Sequence, residues 1–210
     1  AIGNALCELG IDNYLREWII TMLNNRIITS ELGNSKLSKN VRRGTPQGGV
    51  ISPLLWLIVI NHILVKLDNR GVKVVAYADD VVILVSGKFL DVISDIMSDA
   101  LGILQRWSTR CGLGVNPSKT ELVLFTTKTK YSLKLPRICN QEIPLLRSAK
   151  YLGVILDSKL SWRENVEHRV RKATVAYYTC RKLFGAKWGL RPKITLWMYT
   201  AIIRPIMTYG

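Results

Sequence analysis

Hydrophobic spacing in the first fifth of the chain predicts two short helices followed by a hairpin. Within residues 2–26 most apolar positions recur at helical spacing, with an interruption at Gly10. Residues 26–43 change to a polar, alternating pattern around the turn residues Gly33-Asn34-Ser35. This second pattern is typical of a β-hairpin, here one that ends in two arginines.

The next stretch alternates between loop or turn residues and apolar runs. After a Gly-rich loop at residues 44–49, Ser52 as N-cap and Pro53 as first helical residue predict a helix to about Leu67. Residues 72–86 are apolar and β-branched except at Tyr77-Ala78-Asp79-Asp80. We therefore predict a buried hairpin that carries its two aspartates at the turn.

An amphipathic helix and several strands are predicted beyond residue 86. An apolar stripe from Leu90 to Trp107 lies opposite three aspartates, which is typical of a helix packed on a sheet, and Gly112 ends it. Val115 and residues 122–125 predict strands on both sides of residues 116–119, and another strand pair is expected within residues 133–156, where residues 151–156 are strand-like. Together these elements indicate an α+β fold, an antiparallel sheet with packed helices.

The end of the chain differs in charge as well as in pattern. From Trp162 onward the sequence is helical, and residues 163–210 hold ten Lys or Arg against two Glu. More than half of the formal net charge of +15 therefore lies in the last 48 residues. We place a boundary near residues 158–162, which gives segments 1–158 and 159–210.

Composition excludes some classes of protein and favours a polyanionic partner. The 210 residues are 48% hydrophobic and 21% charged, enough to bury a core, which argues against a disordered basic tail. Surplus positive charge on a folded domain favours nucleic acid or an anionic surface as partner. Residues 48–65 carry no formal charge but include polar side chains, so a buried helix is favoured over a membrane span.

The cysteines argue against a zinc site or a disulfide framework. They lie far apart, without a paired spacing and without a nearby histidine, and they are Cys7, Cys111, Cys139 and Cys180. This usage favours a reducing, intracellular compartment.

Asp79 and Asp80 are the residues most suggestive of chemistry. Burying either carboxylate unpaired costs several kcal/mol, so a pair between core strands indicates a compensating cation. Mg²⁺ is held by carboxylates together with substrate phosphates, and two such ions catalyse phosphoryl transfer. The alternative is that aspartate is simply a favoured turn residue.

The loop at residues 44–49 is the second candidate. Its glycines allow close approach of backbone to a ligand, and Gln47 both donates and accepts hydrogen bonds. Alone it is an ordinary Gly-Pro loop before a helix. The loop becomes a stronger candidate for a functional site because the acidic turn lies only one helix and one strand further along the chain.

Four segments in order resemble motifs of reverse transcriptases, above all those of non-LTR retrotransposons of the insect R1 and jockey type. The resemblance covers nearly the whole chain. The segments are Arg43-Gly44-Thr45-Pro46-Gln47-Gly48-Gly49-Val50-Ile51-Ser52-Pro53-Leu54-Leu55, Tyr77-Ala78-Asp79-Asp80, Gly112-Leu113-Gly114-Val115-Asn116-Pro117-Ser118-Lys119-Thr120 and Lys150-Tyr151-Leu152-Gly153.

The resemblance implies a polymerase palm followed by the start of a helical thumb, with the template-gripping fingers missing. It also implies a role for each matching position. Pro46, Gln47 and Gly48 would contact the incoming nucleotide and template, and Tyr77 the primer end. Asp79 and Asp80 would hold two Mg²⁺ ions, with Mn²⁺ as an alternative. Lys119 would be the general acid for pyrophosphate, although a solvated turn lysine is equally compatible with the sequence.

Basic positions supply the expected nucleic-acid contacts. The motifs contribute Arg43, Lys150, Tyr151 and Gly153, and the basic segment contributes Arg169, Lys172, Arg181 and Lys182. Tyr177, Tyr178, Trp188 and Trp197 lie among these cations. The alternative is a solvated helix face, which we expect to hold for about a third of the cations, while most of these aromatics belong to the core.

One departure limits the resemblance. A palm of this family takes another metal-binding aspartate from a strand before the Gly-rich loop, and the acidic residues before Gly44 lie in no strand-like apolar run. We therefore expect a fragment whose parent polyprotein, with an endonuclease, polymerises while this piece alone does not. The resemblance further implies an RNA template, a DNA primer and dNTP as partners, no membrane, and action in the nucleus at the integration site, with a cytoplasmic ribonucleoprotein.

Two other functions are compatible with parts of the sequence. A non-catalytic nucleic-acid-binding protein derived from a retroelement would keep the basic segment, but the retained aspartates argue against it. An RNA-dependent RNA polymerase palm shares the hairpin. Ala78 and the Pro46-Gln47-Gly48 loop favour DNA synthesis by resemblance.

Overall fold

Helices and strands alternate through the computed structural model, which describes residues 1–41, 43–128, 130–182 and 189–210. The helices are α1 (Ile2–Glu8), α2 (Asn13–Asn24), α3 (Ser52–Asp68), α4 (Leu90–Cys111), α5 (Arg163–Arg181), α6 (Pro192–Met198) and α7 (Arg204–Thr208). The strands are β1 (Arg26–Leu32), β2 (Ser35–Val41), β3 (Lys73–Tyr77), β4 (Asp80–Leu84), β5 (Leu122–Val123), β6 (Arg137–Ile138), β7 (Gln141–Glu142), β8 (Leu145–Leu146), β9 (Ser148–Tyr151) and β10 (Val154–Asp157). A 3-10 turn covers Pro117–Lys119, and a π-helical segment, Tyr199–Ile203, joins α6 to α7. This mixture agrees with the α+β prediction.

The strands pair two by two. Four pairs are antiparallel hairpins, namely β1–β2, β3–β4, β6–β7 and β9–β10, while β5 and β8 pair in parallel. The prediction of one antiparallel sheet therefore differs from the pairing seen within the described residues. Each hairpin closes locally through a two-residue turn, so its partner is its neighbour in sequence rather than a distant strand.

Two strand predictions were wrong in detail. Val115 lies outside any strand, which contradicts the strand expected before residue 116. Residues 117–119, expected as part of the connection, form a 3-10 turn. Residues 151–156, read as one strand, contain the turn Leu152-Gly153 between β9 and β10. Both positions of that turn have positive φ, 46° and 84°, which continuous strand does not allow.

Contacts divide the chain into two compact units. The first consists of residues 1–117 and 136–142, and the second of residues 118–135 and 143–210. The sequence-based boundary near residues 158–162 falls inside the second unit. The segments 1–158 and 159–210 therefore remain a prediction about domain organisation.

The first unit is built around aliphatic side chains of α3. Ile63 and Leu67 are fully buried there, and they pack with residues of α1 and α4, including Ala5, Ile103 and Trp107. The inward positions of β3 and β4 pack against the same cluster. This confirms residues 52–67 as a buried helix, and no helix within the described ranges is long and apolar enough to cross a bilayer.

Helix boundaries in the first unit follow local chemistry. Gly10 has φ 67° after α1, and the Asp12 carboxylate accepts hydrogen bonds from the backbone N–H groups of Tyr14 and Leu15 at the start of α2. Gly112, with φ 68°, terminates α4 as predicted. The predicted N-cap of α3 was wrong by one residue: Ile51 is the N-cap, and the Ser52 hydroxyl bonds to the preceding loop instead.

Polar groups are buried in the second unit. Asn165, Arg169 and Ala173 recur every four residues on the buried face of α5, which packs against β10 and α7. Asn165 Oδ1 accepts a hydrogen bond of 3.1 Å from the Ile155 N–H. The expectation that most aromatics of this segment lie in a core was wrong for the described ones, since Tyr177, Tyr178 and Trp197 are exposed. Trp188 lies outside the described residues.

Candidate active site and nucleic-acid interface

The aspartate turn is the centre of the candidate active site. Tyr77 and Asp80 form the last pair of the β3–β4 hairpin, so Ala78 and Asp79 make a two-residue turn. Ala78 has φ 52°, a conformation that costs free energy for a residue with a Cβ. The indole Nε1 of Trp56, on α3, donates a 2.6 Å hydrogen bond to the Ala78 carbonyl. The helix thereby holds the turn in its unfavourable conformation.

Both carboxylates are exposed, which corrects the burial expected from the sequence. Within the described residues neither Asp79 nor Asp80 has an ion-pair or hydrogen-bond partner for its side chain. The argument that burial demands a cation therefore does not apply, because exposed carboxylates keep their hydration. Their oxygen donors and adjacent charges nevertheless fit a hard divalent cation.

Two carboxylates are fewer ligands than a complete protein site. Across the described ranges no group of three or more His, Cys, Asp or Glu side chains is placed to hold a metal ion. A cation at Asp79 and Asp80 would take its remaining oxygen ligands from water, substrate phosphates or other protein groups.

The Gly-rich loop is folded tightly against the start of α3. Gly48 has φ 77°, and the Ser52 hydroxyl donates a 2.8 Å hydrogen bond to the Pro46 carbonyl. A Cβ on Gly49 would lie 2.7 Å from Ser52 Oγ and 3.2 Å from the Pro46 oxygen, so a larger residue does not fit without rearrangement. The loop leaves the side chain of Gln47 exposed.

Arg26 anchors the other end of this loop, a role the sequence did not indicate. Its Nη2 donates to the carbonyls of Arg43 and Gly44 at 3.0 and 2.7 Å, and its Nε donates to Leu23 at 2.8 Å. These bonds fix the backbone before the glycines, while the Arg43 side chain itself stays exposed.

The first turn of α3 connects the loop with the aspartate turn. Ser52 and Trp56 are four residues apart, so they lie on the same face of the helix. One bonds to the Pro46 carbonyl and the other to the Ala78 carbonyl. The two sequence motifs are therefore brought together by side chains that sequence reasoning had counted as a cap and as part of an apolar helix.

Lys119 belongs to the second unit. It ends the 3-10 turn Pro117–Lys119, and its side chain is exposed. Its assignment as general acid stays a prediction.

The β9–β10 hairpin holds the fourth motif. Lys150 is exposed, whereas Tyr151 is half-buried and its hydroxyl is buried without a hydrogen-bond partner among the described residues. Gly153 has φ 84°, which explains glycine at this turn position. Lys150 and Leu152 are therefore the side chains of this motif that a ligand can reach.

Arg169 differs from the exposed cation expected from the sequence. Its residue is only 8% exposed, and its Nη2 donates a 2.6 Å hydrogen bond to the Gly153 carbonyl. The guanidinium carbon lies 4.4 Å from the ring centroid of Tyr209. Because these contacts occupy the group, we assign Arg169 to the support of the hairpin rather than to phosphate contact.

A cluster of cations surrounds His168 on α5. Burial and then the charges of Lys172, Lys150, Arg169 and Arg171 hold the pKa of His168 below its ordinary value of 6.5. His168 therefore stays neutral at pH 7. It lines a groove of about 520 Å³ together with Ile155, Glu164, Glu167, Arg171, Lys172 and Val175.

The exposed cations of α5 do not form one stripe. Lys172 and Arg181 are nine residues apart, which at about 100° per residue places them on opposite sides of the helix. Arg171 and Lys182 are eleven residues apart, which places them within about 20° of each other. A single straight duplex can therefore contact only part of this set.

Comparison with known proteins identifies the family. The family model described as reverse transcriptase (RNA-dependent DNA polymerase) matches residues 4–156. Since this match covers well over half of the chain, the chain belongs to the reverse transcriptase family. No solved structure matches the chain significantly.

Curated relatives narrow the family to proteins of non-LTR retrotransposons, which confirms the resemblance seen in the sequence. The Pol polyprotein of element R1 from Nasonia vitripennis is 24% identical over 80% of this chain and 51% of the relative. A probable RNA-directed DNA polymerase from the Drosophila melanogaster X-element is 32% identical over 81% of this chain and 19% of the relative. The polymerase of mobile element jockey from Drosophila melanogaster is 25% identical over 82% and 19% respectively. The chain thus spans from about a fifth to half of these relatives.

Proposed function

We propose that this chain forms the nucleotidyl-transfer core of an RNA-directed DNA polymerase encoded by a non-LTR retrotransposon. The observation that carries the proposal is the double attachment of α3. Through Ser52 and Trp56, one helical turn is bonded to both the Gln47 loop and the Asp79-Asp80 turn. Family membership and the retrotransposon relatives support it further.

In this proposal each part of the site has a separate task. Asp79 and Asp80 hold Mg²⁺ or Mn²⁺, and the cations supply charge stabilisation at the reacting phosphate. The exposed amide of Gln47, flanked by Pro46 and Gly48, orients the incoming dNTP and the template base. Tyr77, which is 64% exposed beside the aspartates, offers a surface for the primer end.

The second unit supplies the nucleic-acid contacts in the same proposal. Lys150, Lys172, Arg181 and Lys182 are exposed, as contacts to phosphates require. Tyr177 and Tyr178 stand among them with half of each residue exposed. An RNA template and a DNA primer are the proposed partners, and Lys119 the proposed proton donor to pyrophosphate.

We also propose that this chain forms a palm and the start of a thumb without the fingers, and that it is part of a polyprotein with an endonuclease. We propose that the polyprotein acts in the nucleus at the integration site and also forms a cytoplasmic ribonucleoprotein. We further propose that residues 1–210 alone do not extend a primer, because the resemblance implies a further metal-binding aspartate that no residue before Gly44 matches. Extension by purified residues 1–210 with Mg²⁺ would contradict this.

The decisive experiment is Asp79→Asn in a full-length protein that contains this chain. We expect primer extension on an RNA template to fall by about a hundredfold or more, because a metal-ligating carboxylate is removed. Duplex binding should remain within about twofold, since most phosphate contacts come from basic side chains.

Asp95→Asn is the matched control. Asp95 is an exposed aspartate of α4, so extension should equal that of the wild type. Unchanged extension by Asp79→Asn would refute the metal-ligand assignment. Duplex binding without extension by the full-length wild type would instead favour a binding protein.

A further inference from the structure

The turn between β9 and β10 adopts an unfavourable backbone conformation. Leu152 and Gly153 both have positive φ, 46° and 84°. Two successive positive φ values are those of a type I′ turn, which usually carries Asn or Gly at its first position rather than leucine. Such a turn persists only where surrounding contacts determine it.

Two side chains from distant parts of the sequence bond to this turn. The Tyr209 hydroxyl donates a 2.8 Å hydrogen bond to the Leu152 carbonyl, and Arg169 Nη2 donates a 2.6 Å hydrogen bond to the Gly153 carbonyl. A Cβ on Gly153 would lie 3.5 Å from Tyr209 Cε1 and 3.7 Å from Arg169 Nη2. Both side chains therefore lie directly over the turn.

The two side chains also hold each other. The Arg169 guanidinium carbon lies 4.4 Å from the centroid of the Tyr209 ring, a distance typical of a cation–π contact. Arg169 Nε is buried and has no hydrogen-bond partner among the described residues. A buried cation with one unpaired N–H is costly, so the hydrogen bond to the Gly153 carbonyl and the contact with the Tyr209 ring must offset that cost.

We infer that Arg169 and Tyr209 are positioning residues that fix the turn Leu152-Gly153 against α5 for contact with the primer strand. The inference rests on the proposed function, in which Lys150 of this hairpin contacts the nucleic acid, and it assigns that contact to the primer strand. The two donors set the orientation of two successive carbonyls, and through them the orientation of the exposed Lys150 strand end. Substrate is contacted by the hairpin, whereas Arg169 and Tyr209 act through it.

The first measurement is hydrogen exchange of residues 1–210, which needs no nucleic acid. Tyr209→Phe removes one hydrogen bond and keeps the ring, and Arg169→Lys keeps the charge but loses the planar fork. We expect amides 152–155 to exchange at least about fivefold faster in each variant, the equivalent of one lost hydrogen bond. Tyr199→Phe and Arg204→Lys are the matched controls, since both residues are exposed, and they should exchange like the wild type.

The second measurement determines where the turn lies along the primer rather than how stable the turn is. p-Benzoylphenylalanine at position 152, irradiated with a DNA primer annealed to an RNA template, should crosslink wild-type protein to one or two primer nucleotides. In the two positioning variants the crosslinks should spread over neighbouring nucleotides, in addition to the small lowering of the thermal unfolding midpoint that one lost hydrogen bond causes. A purely structural role would lower the midpoint without changing which nucleotides react.

The outcomes separate the inference from the proposed function. Wild-type exchange and wild-type crosslinks in both variants would overturn the inference. Faster exchange in the variants, without any primer crosslink in the wild type, would overturn the primer-contact function of the hairpin and leave its support by Arg169 and Tyr209 established. If Arg169→Lys fails to fold, Tyr209→Phe decides the question alone.

Discussion

The two turns that carry family motifs are held in different ways. Within the described residues the β3–β4 turn receives one side-chain hydrogen bond, from the Trp56 indole to Ala78, and its hairpin packs on the aliphatic cluster around Ile63. The β9–β10 turn receives two, from Tyr209 and from the buried Arg169. Both contain a non-glycine residue with positive φ, so each turn needs support from outside its own hairpin.

The interiors behind the two turns explain the difference. Among the described residues, the buried polar side chains of the first unit are serines, Ser52, Ser94 and Ser108. Those of the second unit are Asp157, Asn165 and Arg169, each of which bonds to backbone. An aliphatic cluster holds a hairpin through buried apolar area and shape complementarity, whereas a polar interior holds it through directed hydrogen bonds. We expect the two units to respond to different substitutions.

The largest effect is expected in the aliphatic cluster. Ile63→Ala should lower the free energy of unfolding of the first unit by about 3 kcal/mol, because it removes a fully buried side chain and leaves a cavity. Denaturant unfolding measures the change. Val65→Ala on the same helix is the control, since Val65 is 49% exposed and should lose far less. Equal losses in the two variants would show that the cluster does not carry this unit.

The next effect tests the backbone of the second turn. Gly153→Ala should destabilise the second unit by about 1–2 kcal/mol, because an L residue at φ 84° is strained although space for its Cβ exists. Gly189→Ala, at a position with open space and no positive φ, should be close to neutral in the same thermal unfolding assay. A neutral Gly153→Ala would mean that the turn relaxes easily, which would weaken the contrast between the two turns.

Removing the Trp56 hydrogen bond to the first turn should have a smaller effect. Trp56→Phe deletes the N–H that reaches the Ala78 carbonyl and should cost about 1 kcal/mol of stability, the value of one hydrogen bond. The loss of primer extension by a full-length protein, expressed as a free energy, should exceed this loss of stability, since the aspartates sit on this turn. Trp18→Phe, at a residue 52% exposed on α2, controls for loss of an indole. Full extension with Trp56→Phe would show that the turn holds itself.

The smallest effect is a pH dependence confined to the second unit. The backbone N–H of Ser161, with further bonds from Trp162, Lys159 and the Ser161 hydroxyl, holds the pKa of Asp157 below its ordinary value of 3.8. The folded state binds this proton less readily than the unfolded state does. The stabilisation from Asp157 is therefore fully present above pH 3.8 and is lost as pH falls through the lower folded pKa.

Asp157→Asn makes this pH dependence measurable. The difference in unfolding midpoint between wild type and variant should shrink as pH falls below 3.8. Val166→Ala, at an exposed position of α5 without a titratable side chain, should give a difference without this pH dependence. A difference that stays constant down to pH 2 would show that the Asp157 charge does not stabilise the loop before α5.

The sequence by itself determined the elements whose signals are local. Periodicity located α1 to α4, the β1–β2 hairpin and the β3–β4 hairpin with its aspartates at the turn. Motif order and spacing were sufficient to indicate the reverse transcriptase family, which the comparisons confirmed. Each of these features depends on residues close together in the chain, so short-range patterns encode them.

Only the tertiary structure decided how those motifs are held. Trp56 bonds to Ala78 across 22 residues, Arg26 to Gly44 across 18, and Tyr209 to Leu152 across 57. Only the structure showed that the aspartates are exposed, that Arg169 is buried and that Tyr177 and Tyr178 lie in solvent. Hydrophobic pattern constrains which face of an element is covered, but the partner of one donor depends on how distant elements pack. That choice is made by three-dimensional contacts, which a single sequence does not display.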